Sequence, residues 1–430
     1  MRKKHKTGAE MLIRFSVENF LSFKDRQTLD MTAVPTCKER QEDNTFDLDS
    51  ESKLLKTVVV YGANASGKSN LFKALAFFCS FIHNSSKDFQ VDESISVKPF
   101  QLNLDTVKEP SFFEIEFKHN EEFYRYGFQV TRAKVVSEWL FCGGKQLFIR
   151  AEENGEDIIQ IESEWNNAKG LEERTRANAL FLSVCAQFAM SQAAEIIAWF
   201  NQKINQISGT ATLLSKMFTI EKIQDGKYRD DIIMFLKNAD MNIDNVEIKE
   251  GARIASMNRL IVQTLHHIYD NNANVVGNTK LSMKEAESLG TQKAFALSGP
   301  LIEALKTGAV LVVDEMDARL HPVFVRQIVD MFNSKRLNPL NAQLIFNTHD
   351  TNLLNCRKDK PAGYLLRRDQ IYFMEKDNME ASHLYSLIEF KKEDGKKIRN
   401  DASYEKDYLN GIYGAIPFIG NLMHVQEDGE

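Results

Sequence analysis

The sequence has no cysteine framework, no strong excess of positive charge and no long apolar run. Its five cysteines, Cys37, Cys79, Cys142, Cys185 and Cys356, are scattered, without a Cys-x-x-Cys pair or the Cys/His spacing of a metal site. That excludes a disulfide-stapled scaffold and a zinc module, and an odd count suits a reducing cytoplasm. The formal net charge is −6. Proteins that live on non-specific nucleic-acid contacts are usually more positive, so any such binding here has to be local or indirect. No apolar stretch has the length of a membrane span. The basic opening MRKKHKTGAE is not followed by the apolar core of a signal peptide. These residues, 1–10, read as a disordered extension with Met11 as an alternative start, and the chain reads as cytoplasmic with no membrane partner. There is no internal repeat, no low-complexity tract and no sustained heptad pattern, which excludes long coiled-coil arms.

What is present is a chain of 430 residues with 43% hydrophobic content, enough for two or three structural units. Ile13, Phe15 and Val17 alternate with polar neighbours and predict a half-buried strand before the turn ENFLSF. Residues 31–54 read as a loop. Val58–Tyr61 is a continuous apolar strand, and NLFKALAFF (70–78) has helical spacing. Four runs, at 111–117, 123–130, 135–141 and 146–150, are separated by charged or Gly-containing turns and read as an antiparallel meander. Residues 11–182 then form a first lobe. Residues 183–275 read as a helical insertion, carried by AEIIAWFNQKINQI and DDIIMFLKNA, with a polar loop near 270–280. From 276 to 390 the pattern is α/β: helix 291–305, strand 309–313, helix 322–334, strand 343–347 and strand 370–374. Residues 391–430 form a basic and apolar tail. Its cations Lys391, Lys392, Lys396, Lys397 and Arg399 suit either a solvated face or an acidic or nucleic-acid partner. Its apolar residues Tyr408, Ile412, Tyr413, Ile416 and Phe418 suit docking on the chain's own core or on a partner.

The segment VVVYGANASGKSN carries the strongest signal. Gly62-Ala-Asn64-Ala65-Ser66-Gly67-Lys68-Ser69 fits G-x-x-x-x-G-K-[ST] between a strand and a helix. Glycines let the backbone wrap so that successive N–H groups, Asn70 included, face phosphate oxygens, and the helix adds the positive end of its dipole. Lys68 supplies a cation to the β- and γ-phosphates, and the Ser69 hydroxyl is a ligand for Mg²⁺. The nucleotide expected is ATP. In VLVVDEMD an apolar strand delivers Asp314 and Glu315 to its C-terminal end. Asp314 suits Mg²⁺ held through water, and Glu315 suits a general base that polarises the attacking water. In FNTHD, His349 follows the next strand and is placed to sense the γ-phosphate. Gln101, in KPFQL, is a weaker candidate for a loop glutamine on Mg²⁺, with a plain surface glutamine as the alternative. In ESLGTQKAF, Ser288, Gly290 and Thr291 open a helix that contains Lys293. This is an ordinary N-cap or a second anion site. With one pyrophosphate already cradled, a second anion site would complete the nucleotide pocket of another copy.

Together, VENFLSF, GANASGKS, ESLGTQK, VVDEMDARLHP and NTHD resemble the N-terminal strand, Walker A, signature, Walker B with D-loop, and histidine switch of ABC-type ATPases. The branch is the one shared by SMC-, Rad50- and RecF-like proteins. The fold so implied is an α/β ABC-type P-loop head, a mixed sheet with an antiparallel β lobe, carrying a helical insertion. Two positions depart from the common pattern: His321 stands where the D-loop usually ends in Asp, and Ser-x-Gly-Thr replaces Leu-Ser-Gly-Gly-Gln. Both departures, with LRRDQIYFMEKD and DYLNGIYGAIP, are similar to phage-defence ATPases of the OLD-like and abortive-infection group (RloA/AbiL-like, PARIS-type). That resemblance implies an ATPase sensor subunit forming homodimers or multiples of dimers through shared ATP sites. It also implies a phage-encoded trigger and a separate nuclease effector of TOPRIM or HNH type, since no nuclease centre is legible in this chain. The alternative is a DNA-repair or chromosome-maintenance ATPase acting on DNA.

Overall fold

The computed structural model describes residues 10–87, 93–208, 212–239, 241, 243–254, 257–355, 363–392 and 395–417. Most of the basic N-terminal stretch, Cys356 and Phe418 lie outside these. Along the chain come β1 (Met11–Glu18), β2 (Gln27–Asp30), α1 (Gln41–Asn44), β3 (Thr45–Asp47), β4 (Lys53–Leu55), β5 (Thr57–Tyr61) and α2 (Lys68–Asn84). The meander is β6 (Ser111–His119), β7 (Glu122–Val130), β8 (Val135–Cys142), β9 (Lys145–Glu153) and β10 (Glu156–Ile161). Then follow α3 (Phe181–Gln187), α4 (Ser191–Lys203), β11 (Ile204–Ser208), α5 (Thr212–Gln224) and α6 (Arg229–Asn238). After them come β12 (Asn245–Ile254), β13 (Met257–Tyr269), β14 (Val275–Ser282), α7 (Leu289–Thr307), β15 (Val310–Asp314) and α8 (Pro322–Asn333). The chain closes with β16 (Gln343–Asn347), β17 (Ile371–Lys376), β18 (Ser382–Ser386) and α9 (Tyr404–Leu409).

Two sheets organise the molecule. The meander joins the N-terminal hairpin in an antiparallel sheet ordered β10-β9-β8-β7-β6-β1-β2. The core sheet is ordered β11-β15-β16-β5-β17-β18; it is parallel from β11 to β17, with β18 antiparallel at the edge. Core strands read as unbroken apolar runs because both faces are buried. Val58 and Val60 of β5 enter the aromatic core shared with the antiparallel sheet, whereas Val59 and Tyr61 enter the core under α7 and α8. Each such side chain contributes about 1.5–3 kcal/mol on burial. The first core is aromatic: Phe78 of α2 stacks on Phe128 at 5.2 Å and meets Phe15 edge-on at 5.8 Å. Gln343 ties the sheets together, its side chain exchanging hydrogen bonds with the backbone of Leu12 at 2.8 and 3.0 Å.

The region expected to be a helical insertion holds α3 to α6, but it is not purely helical. β11 is an edge strand of the core sheet, and β12, β13 and β14 form a separate three-stranded antiparallel sheet. The alternation of Val246 and Ile248, and of Leu260, Val262 and Thr264, is the strand signal there; Val246, Val262 and Thr264 are the buried members. The polar stretch near 270–280, expected as a loop, includes most of β14. Residues 31–54, also expected as a loop, contain α1, β3 and the first two residues of β4, with Phe46 and Leu54 buried. The C-terminal tail docks on its own chain: Tyr408 and Tyr413 are buried in the second core, and Ala415 N donates to Glu375 Oε2 at 3.0 Å.

Helix α7 runs through the interior with Pro300 in it. Proline donates no N–H, so the carbonyl four residues earlier, of Ala296, loses its helical partner. Thr219 Oγ1 of α5 lies 3.1 Å from that oxygen and 3.1 Å from Ser215 O, so its one hydroxyl hydrogen is shared between the two. Among the described residues, no single helix is long and apolar enough to cross a membrane.

Candidate nucleotide site

β5, β15 and β16 end on one edge of the core sheet, and the sequence motifs leave from these ends. The loop after Tyr61 turns through Ala65 at φ 63° and Gly67 at φ 110° before α2 begins. A Cβ on Gly67 would lie 2.2 Å from Ser382 Oγ, so only glycine fits both the backbone and the space. Asn64 and Ala65 are exposed at the loop tip. No side chain caps the start of α2, which leaves its first amides available to an anion. Ser66 Oγ is buried without a hydrogen-bond partner among the described residues.

Lys68 is 7% exposed, and its Nζ donates to the carbonyls of Gly62 and Ala63 at 2.7 and 2.8 Å. Burial pushes its pKa down to about 8, against the opposing pull of Asp314, Asp317 and Glu315. Ser69 Oγ donates to Asp314 Oδ1 at 2.9 Å, joining the phosphate loop to the acidic strand. Asn347 at the end of β16 completes the edge. Its Nδ2 donates to the same Asp314 oxygen at 2.5 Å, while its Oδ1 accepts from Glu315 N at 2.5 Å. Glu315 sits at φ 53°, a left-handed backbone that this hydrogen bond holds. His349 N donates to Asp317 Oδ2 at 3.1 Å. The imidazole's pKa is lowered by partial burial and then by the Lys68 cation, with Asp317 and Glu315 opposing.

The second motif is built differently. Ser288 is the N-cap of α7, its Oγ accepting from Thr291 N at 3.1 Å and lying 2.9 Å from Thr291 Oγ1. A Cβ on Gly290 would lie 3.0 Å from Arg319 O, so this turn packs on the loop after the acidic strand. Ser288 and Leu289 are exposed, whereas α7 is buried from Lys293 onward for three turns. Lys293 is 2% exposed. Its charged surroundings are its own chain's Glu315, Asp317 and Asp314, with Arg319 opposing, and burial lowers its pKa. It therefore lies inside the helix beside its own chain's acidic edge, away from the exposed Ser288–Thr291 turn. Gln101 is exposed on a loop whose neighbours are anchored at Asn19 and Leu21. His321, at the departing D-loop position, caps α8 by accepting from Val323 N through Nδ1 at 3.2 Å.

Several residues of the site were not picked out from the sequence. Asn347 and Asp317 are two, and a serine cluster is another. Ser382 Oγ donates to Ser66 O at 2.7 Å and lies 2.8 Å from Ser22 Oγ, and Asn70 Nδ2 donates to Ser22 Oγ at 2.9 Å. These hydroxyls clamp the phosphate loop between the N-terminal turn and β18. Asn347 and Asp317 lie inside quoted motifs and were within reach of a reading by position. Ser22 and Ser382 gave no local signal.

The loop, the lysine with replaceable carbonyl partners, the uncapped helix and the paired carboxylates fit a Mg²⁺–nucleoside triphosphate. Ser69 and Asp314 are the oxygens that would hold the metal. This is the edge of a P-loop ATPase head with a mixed core sheet and an antiparallel lobe. A family model described as "AAA domain, putative AbiEii toxin, Type IV TA system" matches residues 58–181 and 223–355, more than half of the chain. The chain belongs to this AAA family, whose class binds ATP, generally with Mg²⁺, and hydrolyses it. Among solved structures, the chain is similar to the SMC head domain from Thermotoga maritima, with 13% identity and TM-score 0.38 over 87% of this chain and 98% of that one. It is also similar to CbiO1 from Clostridium perfringens, part of the ABC transporter complex CbiONQ, with 11% identity and TM-score 0.25 over 72% and 77%. These likenesses are remote, and the fold description rests on the strand order above. No curated protein matches the chain.

Proposed function

We propose that this chain is the ATP-binding and ATP-hydrolysing sensor subunit of an abortive-infection defence system against phage. In this reading two copies associate head to head, each gripping the triphosphate held by the other, and the assembly holds or licenses a separate nuclease effector of TOPRIM or HNH type until a phage-encoded trigger arrives. One observation carries the reading: a nucleotide edge of Lys68, Ser69, Asp314, Glu315 and Asn347 shares its chain with an exposed capped turn that packs on the loop after the acidic strand. The family description, with its toxin and type IV toxin–antitoxin terms, supports the defence setting.

The chemistry follows from this chain's groups. Lys68 exchanges the Gly62 and Ala63 carbonyls for phosphate oxygens. Ser69 and Asp314 would hold Mg²⁺, which would supply positive charge to offset that of the phosphates. Glu315, oriented by the hydrogen bond from its N–H to Asn347, accepts a proton from the water that attacks the γ-phosphate, giving ADP and phosphate. His349 lies close enough to Lys68 to feel its charge, and it registers departure of the γ-phosphate. The Ser288–Thr291 turn of the second copy then loses its anion, and association weakens.

The test is Glu315→Gln. It is expected to bind ATP and to run at a doubled mass in ATP but not in ADP, while hydrolysis is lost. An unchanged mass in ATP would count against the shared site. Hydrolysis by the unaltered chain that rises severalfold on adding DNA would favour the DNA-maintenance alternative.

A further inference from the structure

Just before the capped turn, the chain is fastened to the three-stranded sheet. Glu287 precedes the Ser288 cap by one residue, and its side chain is 10% exposed. Its Oε1 lies 2.7 Å from His266 Nε2 and also accepts from Thr264 Oγ1. His266 Nε2 and Thr264 Oγ1 are themselves 3.0 Å apart. Thr264 and His266 alternate along β13 with Val262 on the face turned to the protein; Val262 is 3% exposed and Thr264 fully buried. Met283 N donates to Val262 O at 3.0 Å, and its side chain packs with Val262 and Phe295. On the other side of the turn, Gln292 Nε2 donates to Glu287 O at 3.0 Å and lies 3.3 Å from Lys284 O. Residues 283–292 are thus bound to β13 at Met283 and Glu287 and folded back on themselves by Gln292.

A carboxylate buried against a hydroxyl and an imidazole is a poor device for stability alone, because its desolvation offsets most of what the hydrogen bonds return. What such a cluster supplies is direction: it fixes where the next residue points. That next residue is Ser288.

We propose that Thr264, His266 and Glu287 form a latch by which the β12–β14 sheet sets the orientation of the Ser288–Thr291 turn. The sheet thereby sets how well that turn engages a nucleotide held by a second copy. The proposal rests on the two-copy reading above. Thr264, His266 and Glu287 are positioning residues that act through the turn. Releasing the latch is expected to leave the phosphate loop intact and to impair only what the turn does across the interface.

The test uses the full chain with His266→Ala, Glu287→Ala and His266→Gln, whose amide nitrogen can take the place of Nε2. In nucleotide-free protein, amide hydrogen exchange over residues 284–292 is expected to accelerate about tenfold in the first two variants, in keeping with loss of a hydrogen bond to a charged group. Exchange over residues 62–70 should not change. ATP affinity is expected to stay within about twofold, while kcat and ATP-dependent association fall about tenfold. His266→Gln restores both exchange and kcat. Unchanged exchange over 284–292 would overturn the latch. So would a loss of ATP affinity as large as the loss of kcat, which marks plain structural damage. Normal association in both latch variants overturns the latch alone. Absence of ATP-dependent association in the unaltered chain overturns the two-copy reading and, with it, the latch's purpose.

Discussion

Two buried lysines bracket the same strand. Lys56 precedes β5, is 1% exposed, and reaches Asn333 O at 3.4 Å; Lys68 follows the phosphate loop at the other end. Burial pushes both down to about 8. Their surroundings are opposite. Lys335 adds a like charge beside Lys56, with Asp43 as the weaker opposing charge. Three carboxylates face Lys68, which rests on two backbone carbonyls that a phosphate can replace. Burial and a shifted pKa therefore do not mark a functional lysine. The arrangement of exchangeable partners and acids around it does.

The comparison is broken most directly by exchanging its members' side chains. Lys68→Ala is expected to weaken ATP binding about 100-fold or more, since it removes the charged donor to the phosphates. Lys56→Met should leave the affinity within about twofold, both read by titration with a fluorescent ATP analogue. Gly67→Ala tests the loop that carries Lys68. Its Cβ would meet Ser382 Oγ at 2.2 Å in a left-handed backbone, so binding is expected to fall about tenfold with a stability loss of about 1–3 kcal/mol. Pairing it with Ser382→Gly removes the 2.2 Å contact but leaves Ser22 Oγ at 2.8 Å and the backbone strain, so only part of the loss should return. Asn347→Ala releases Asp314 and Glu315 together. Steady-state hydrolysis is expected to drop about tenfold, with ATP affinity changed less.

The smallest effect separates the two lysines by pH. Because the folded-state pKa of Lys56 is depressed, its folded form carries a desolvated charge below pH 8 that the unfolded chain, titrating near its ordinary 10.5, holds at no penalty. Stability from this group is lost as pH falls from 10.5 through 8. Lys56→Met should therefore melt a few degrees above the unaltered chain at pH 7, and the gap should shrink by pH 9.5. A gap that widens with pH would contradict this assignment of charge.

The sequence exposed the chemistry more clearly than the architecture around it. The phosphate loop, Asp314, Glu315 and the meander were legible because each depends on local spacing: a glycine turn between strand and helix, or period-two alternation. Asn347 was quoted within its motif yet given no role, because its function depends on β16 lying beside β15. Ser22 and Ser382 are 360 residues apart and meet only when β18 joins the core sheet, so no window contains them. The β12–β14 sheet was missed because its exposed side also carries apolar residues, Ile261, Ile268, Tyr269, Val275 and Val276, which blur the period-two alternation. The helix holding Lys293 was legible, but the nearness of Lys293 to Glu315, Asp317 and Asp314 was not, because it depends on α7 packing beside the end of β15.

The central claim is that a triphosphate on one copy's phosphate loop meets the Ser288 turn of another. The direct measurement mixes Glu315→Gln chains carrying Asn64→Cys with Glu315→Gln chains carrying Ser288→Cys and scores the disulfide between them. A crosslink that forms in ATP, fades in ADP and disappears when Lys68→Ala is added is the predicted result. No crosslink in ATP, with both chains shown to bind nucleotide, would contradict the account.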